Sequence, residues 1–244
     1  MSHTNYYANY RRFKDWDSNS FGRCSRDLGL YFKKELQKSG FAPLTNLLVL
    51  EIGYGNGNFA TWSTAQGCNY IGIEQIPELI DLGRRQGLKV FDGSIPLSEV
   101  TTPNSVDLVI ALDVFEHLTY TQVSQWLGEL HHLLKPGGKL VGRVPSGDSP
   151  FSRAIQYGDL THQSVFGSKL IRQIAMAAGF EIEAIRPPVF PLLGLGLRVF
   201  LRRSLVALGR QVTYSIIKNI FMGGDDAVLT PDTVFVLVKT SLSD

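Results

Sequence analysis

Cysteine is scarce in this sequence. Cys24 and Cys68 are too few for a disulfide framework and do not have a metal-knuckle spacing. A reducing compartment is the default for such a chain. Nor is there an uninterrupted apolar run near the ~20 residues that span a bilayer. Residues Met1 to Tyr7 are polar, without the apolar core of a signal peptide, so a cytoplasmic location is expected. Excess charge is missing as well. A net charge of +2 gives no electrostatic argument for nucleic acid, and no such partner is expected. Internal repeats and low-complexity tracts are absent. What remains is globular, because 44% hydrophobic and 19% charged residues exclude a disordered chain. At 244 residues it suits one full-sized α/β domain, or a domain with a modest appendage.

Glycine, by contrast, is concentrated where it matters. Leu47–Ile52 is short, apolar and bounded by turn residues, and reads as a strand buried on both faces. Gly53, Gly55 and Gly57 then alternate through a turn that leads into a helix. Glycine there takes backbone angles closed to other residues and lets a ligand sit against bare main chain. N–H groups at the start of the next helix favour a ligand carboxylate or phosphate. Strand, turn and helix therefore make a cradle for a nucleotide-like cofactor. The glycines alone do not name it: the frame Gly55-x-Gly57-x-x-Ala60 formally fits the dinucleotide fingerprint.

From Leu47 the chain alternates in the βα rhythm of a parallel sheet. Further strands are expected at Tyr70–Glu74, Lys89–Phe91, Val106–Leu112, Lys139–Val144, Phe180–Arg186 and Thr233–Val238. Pro77 suits the first turn of a helix ending near Gln86-Gly87, and Gly137-Gly138 stops the helix after the fourth strand. Ser168 is expected to cap a helix that ends at Gly179. Residues 1–45 are expected to form a helical cap over the cleft. Its aromatics are Tyr6, Tyr7, Tyr10, Phe13, Trp16 and Phe21, and its second helix spans about Asp27 to Lys38. Arg11, Arg12 and Lys14 are candidates to reach a cofactor carboxylate, with nothing to choose among them. His131 and His132 read as surface or packing residues.

Four ordered motifs resemble the class I methyltransferases that use S-adenosylmethionine. Glu51-x-Gly53-x-Gly55-x-Gly57 resembles their first motif, and Glu74 ends the second strand 21 residues after Gly53. Asp92-Gly93 follows the third strand, and Asp107–Leu118 resembles the fourth-strand motif. Lys135-Pro136-Gly137-Gly138 is a further signature that a nicotinamide dehydrogenase would not need. The resemblance implies a Rossmann-like, seven-stranded, mostly parallel sheet with helices on both faces. The last strand would lie antiparallel between strands five and six, over residues 46–244. It implies S-adenosylmethionine held by Glu51, Gly53, Gly55, Gly57, Glu74, Asp92, Gly93 and Asp113. Within that set Glu51 would orient the turn or the cofactor's amino group. Glu74 would bind the ribose hydroxyls, and Asp92 the adenine amino group.

The residues after strand four resemble a narrower group. Asp113-x-x-Glu116-His117 and the later Thr161-His162 are similar to the Glu-x-x-Glu-His and Thr-His of ubiquinone-biosynthesis O-methyltransferases. Asp113 replaces the first Glu of that pattern. The resemblance implies catalytic Asp113, His117 and His162, and a divalent cation on Asp113, Glu116, His117 and His162. The plain alternative is that these residues open a helix and bind nearby main chain. The expected reaction is O-methylation of a small or lipid-linked acceptor. Loops Ser146–Ser149 and Tyr157–Gln163 resemble methyltransferases of bacterial surface-polysaccharide assembly, which favours a sugar hydroxyl. A quinone-precursor phenol is the alternative, and a protein that binds the cofactor without catalysis is the rival from another class.

The segment between strands six and seven, about 187–224, has no acidic residue. Leu197, Leu201, Leu205, Leu208 and Val212 form a narrow stripe on a helix, with Arg203 and Arg210 expected opposite. Such a helix can lie in an anionic interface, giving peripheral membrane contact through 195–222 at the inner face. The same stripe also suits packing on the sheet, a cover for the acceptor pocket, or a homodimer contact.

Overall fold

A computed structural model describes residues 10–222 and 227–240 of the chain. Tyr6, Tyr7 and the glycine-rich end of the insertion at Gly223-Gly224 lie outside the described residues. The elements run α1 (Tyr10–Phe13), α2 (Arg26–Lys38), β1 (Leu48–Ile52), α3 (Asn58–Ala65), β2 (Asn69–Glu74), α4 (Pro77–Arg85) and β3 (Val90–Asp92). They continue with α5 (Leu97–Val100), β4 (Val106–Leu112), α6 (Tyr120–Leu133), β5 (Leu134–Pro145) and α7 (Arg153–Gln156). The chain closes with α8 (Ser168–Ala177), β6 (Glu181–Arg186), α9 (Leu197–Phe221) and β7 (Asp232–Val238).

The seven strands form one sheet in the order β3-β2-β1-β4-β5-β7-β6, parallel except for β7, which runs antiparallel to both neighbours. Alternating residues of each strand feed two cores. Leu50 and Ile52 join the layer under α5, α6 and α8, while Val49 joins the layer under α2, α3 and α4. The strand order reverses beside β1, which puts the ligand crevice at the carboxyl ends of β1, β2 and β4.

Expected and observed strands agree within a residue or two, except that β5 starts earlier, at Leu134, through an irregularity opposite Val106–Leu108. Ser168 is not the cap of its helix. Gly167 holds that position, and Asp148 from the preceding loop accepts the Ser168 N–H at 3.1 Å and its hydroxyl. Strand β6 stops at Arg186, before Pro187-Pro188, as the prolines require.

The cap is tied down by a buried ion pair. Glu35 of α2 takes Arg186 from β6 and also accepts the Val189 N–H at 2.8 Å. Helix α9 stands apart from both cores, and none of its residues is buried.

Candidate active site

The glycine turn curls around the end of β2. Gly53 N–H donates to the Ile73 carbonyl at 2.8 Å, and Gly55 N–H donates to Glu74 Oε2 at 2.9 Å. Gly53, Gly55 and Gly57 all have positive φ, between 52° and 68°. A Cβ on Gly55 would stand 2.8 Å from the Trp16 ring, and one on Gly57 would stand 2.8 Å from Phe21. The cap aromatics therefore press directly on the turn. Hydrogen bonds stitch the two together: Gly22 N–H to the Asn56 carbonyl at 2.7 Å, Asn56 to the Ser20 carbonyl at 3.1 Å, and Asn58 to the Arg23 carbonyl at 2.6 Å.

Under this cap lies a cavity of about 610 Å³ lined by Glu51, Gly53, Gly55, Glu74, Asp92, Gly93 and Asp113, among others. That volume suits a cofactor-sized ligand. Gly57 does not line it. It sits behind the wall, where its left-handed conformation starts α3 and leaves room for Phe21.

The acidic residues are graded by environment. Glu51 is buried beside Tyr70, whose hydroxyl donates to it at 2.6 Å. Burial pushes its carboxyl up to about 8, against the pull of that hydrogen bond, and the charge of Glu74 adds to the rise. Glu74 is also raised by burial, although Gly55, Gln75 and Ile76 N–H groups all donate to it. Its carboxylate thus braces the turn as well as facing the cavity. Asp92 is held below the usual range by the hydroxyl and N–H of Ser94, which both donate to Oδ1.

A second cavity of about 370 Å³ adjoins the first, sharing Tyr10, Lys14, Asp113 and His117 with it. Here Glu116, His117 and His162 each bring one ligand atom within 4.8 Å of the others. The Glu116 carboxyl is buried with no hydrogen-bond partner for Oε2 among the described residues, and burial raises it well above the usual range.

Both rings are oriented by their Nδ1 atoms. His162 Nδ1 lies 2.9 Å from the Gln156 carbonyl, which can only accept, so Nδ1 carries the proton and the neutral ring has its lone pair on Nε2. The Thr161 hydroxyl donates to Asp159, so at 2.8 Å it accepts from His117 Nδ1. Burial, with His162 close by, lowers His117 to about 4, leaving it neutral at neutral pH. Burial alone would raise Asp159, but the Thr161 hydroxyl and N–H, with Lys14 at 3.1 Å, hold it at about 2.

Asp113 stands at the junction of the two cavities but outside the Glu116–His117–His162 cluster. Its φ is +59°, and both carboxylate oxygens are taken by Arg143, Oδ1 by Nε at 2.8 Å. Arg143 also donates to the Tyr31 hydroxyl at 3.2 Å. Sequence reasoning passed over Arg143 and Tyr31, although an arginine set among Leu140, Val141 and Val144 is a signal for a buried partner. Of the three cap cations, Lys14 lines both cavities, Arg11 is spent on the Trp16 carbonyl at 2.8 Å, and Arg12 is exposed.

The two polar loops divide. Ser146 and Ser149 turn inward to the Val228 and Leu229 carbonyls, at 2.5 and 2.8 Å, so that loop is structural rather than an acceptor contact. Gly158, Asp159 and His162 wall the second cavity. His131 packs edge-on against Phe180 at 4.9 Å.

The strand order, the antiparallel β7 and the glycine cradle beside an acid-ended β2 define the class I, S-adenosylmethionine-dependent methyltransferase architecture. A family model described as a methyltransferase domain matches residues 16–185, more than half of the chain. The chain belongs to that family of enzymes, whose methyl donor is S-adenosylmethionine.

Among curated relatives, an uncharacterized methyltransferase of Oceanobacillus iheyensis is 30% identical over 38% of this chain and 44% of its own. A ubiquinone biosynthesis O-methyltransferase of Rickettsia canadensis is 28% identical over 47% of this chain and 50% of its own. The chain thus spans about half the length of the curated relatives it matches. A structure of a SAM-dependent methyltransferase from Archaeoglobus fulgidus matches with a TM-score of 0.62 at 18% identity, covering 86% of this chain and 94% of that one. A 1,6-didemethyltoxoflavin-N1-methyltransferase of Burkholderia thailandensis, solved with S-adenosylhomocysteine, matches with a TM-score of 0.58 at 15% identity, covering 98% and 87%. That enzyme's name gives a nitrogen as acceptor, so the shared fold leaves the acceptor atom open.

Proposed function

We propose that the protein transfers the methyl group of S-adenosylmethionine to a hydroxyl on a lipid-linked acceptor. The observation that carries this reading is the cluster of Glu116, His117 and His162 in a chamber that opens onto the cofactor cavity. When bound, the donor supplies an activated methyl on a cationic sulfur. The chain must then hold the acceptor oxygen in line, exclude water and take one proton. His162 is suited to taking the proton, because Nδ1–H is anchored to Gln156 and the charge of Asp159 lies 4.0 Å from Nε2, where an imidazolium would form. Transfer of that methyl to the acceptor oxygen would release the hydroxyl proton to His162 Nε2.

The same donor set also fits a divalent cation, because two oriented imidazoles surround a buried carboxyl oxygen that lacks a partner among the described residues. A cation there would be held by Glu116, His117 and His162, and would acidify the acceptor hydroxyl.

A groove of about 600 Å³ supports the lipid-linked class. It is lined by Phe151, Pro188, Phe190, Ala207, Tyr214 and Leu229, together with Pro231. Pro231 of the groove precedes Asp232 of the chamber wall, so the groove lies one residue from the chamber along the chain. A sugar hydroxyl is our preferred head group. A quinone-precursor phenol is the second reading, favoured by the name of the Rickettsia relative.

The test incubates the protein with isotopically labelled methyl donor and bacterial lipid extract, and follows the label by mass spectrometry. Label on a lipid-linked oxygen that His162→Ala reduces by a hundredfold or so agrees with general-base magnitudes. Loss of activity on chelation, restored by added metal, selects the cation reading. Full activity in His162→Ala without any metal dependence removes the chamber from the mechanism.

A further inference from the structure

Helix α9 spans Leu197–Phe221, and no residue of it is buried by the described residues. Its inner face is nonetheless accounted for. Arg203 donates to the Pro191 carbonyl at 2.7 Å, pairs with Asp27 and lies over the Phe190 ring, while Arg210 lies over the same ring at 4.7 Å. Tyr214 donates to the Ala227 carbonyl at 2.6 Å. These contacts fix which way the helix faces, and they turn Arg203 and Arg210 towards the protein rather than towards an outside partner.

The opposite face carries Leu197, Leu201, Leu205, Leu208, Val212, Ile216 and Ile220, which are between 49% and 72% exposed. At 1.5 Å per residue this stripe is about 35 Å long. Seven large aliphatic side chains in one line are more than the scattered exposed leucines of an ordinary surface. Arg198 and Arg202 are exposed beside it, and Leu197–Phe221 contains no acid.

We infer that this outer face lies in the interface of an anionic lipid bilayer, with the helix parallel to the membrane plane. Three observations favour lipid over other occupants. The helix has apolar residues on its outer face and a separate set of contacts on its inner face, so the stripe is not the buried half of an ordinary surface helix. A second copy on the same stripe would bring together two acid-free outer faces, each carrying the exposed Arg198 and Arg202, and like charges oppose that. Anionic headgroups instead complement Arg198 and Arg202 while acyl chains take the leucines. Insertion across the bilayer is not the mode, because no helix of the described residues is long and apolar enough to cross a membrane.

Vesicle sedimentation of the full chain, without methyl donor or acceptor, tests this independently of the proposed reaction. Vesicles containing phosphatidylglycerol should carry the protein down, phosphatidylcholine vesicles much less, and added salt should release it. Leu205→Asp/Leu208→Asp and Arg198→Glu/Arg202→Glu alter only exposed side chains. Each pair should weaken binding by at least about tenfold, while circular dichroism and S-adenosylhomocysteine binding stay unchanged. Failure to bind the anionic vesicles, or binding that both variants leave intact, overturns the inference. So does a dimer in sedimentation velocity that Leu205→Asp/Leu208→Asp dissolves, since the occupant would then be a second copy.

Discussion

Glu51 should make this protein less stable as pH rises, and an isosteric amide should abolish the effect. The carboxyl is 4% exposed, has the Tyr70 hydroxyl at 2.6 Å, and stands at about 8 in the folded chain against 4.5 ordinarily. A carboxyl raised by folding is more easily protonated in the native state. Its contribution is therefore complete below 4.5 and is lost as pH climbs towards 8. Inside that window the loss runs at about 1.4 kcal/mol per pH unit. Moving from about pH 6 to about pH 8 should thus cost roughly 2 kcal/mol from this group alone.

Glu51→Gln keeps the acceptor for Tyr70 and removes the titration. Urea unfolding followed by fluorescence of Trp16, Trp62 and Trp126 should show the wild type losing that amount relative to the variant over the same range. Glu74 is raised too and remains in both proteins, so the effect of its own burial cancels and the difference reports Glu51 together with its coupling to Glu74. Parallel pH curves for the two proteins would refute the reasoning. A cofactor ammonium would prefer the ionised carboxylate, so wild-type affinity for S-adenosylhomocysteine should climb as pH approaches 8, and the variant should flatten that rise.

Glu74→Ala should weaken S-adenosylhomocysteine binding by tenfold or more in calorimetry, about 1.4 kcal/mol. Glu74→Gln should lose less, since one amide oxygen can still accept from the Gly55 turn. Arg186→Met should destabilise the fold by about 3 kcal/mol in urea unfolding, because it strands the buried Glu35 carboxylate. Adding Glu35→Gln to that variant should recover much of the loss; if it does not, the pair does not anchor the cap.

The chain's periodicity and punctuation were enough for the architecture. Apolar runs such as Leu108–Leu112 read as strands buried on both faces, and positions such as Pro77 and Gly179 limit helices by local stereochemistry. The glycine turn and Glu74 were legible for the same reason: backbone angle and strand-end placement are local properties. Partnerships were not legible, because they join residues far apart in the chain. Asp113 and Arg143 are 30 residues apart, and their pairing leaves Asp113 outside the Glu116–His117–His162 cluster. Gly57 has the left-handed angle that a glycine motif implies, yet Phe21 from the cap occupies the space beside it. Asp148 takes the capping role that Ser168 was expected to fill, 20 residues away. Most telling is α9. The leucine stripe could be read from spacing alone, but spacing defines only which residues share a face. Which face meets the protein was decided by Phe190, Asp27 and Ala227, contacts that exist only once the chain has closed on itself.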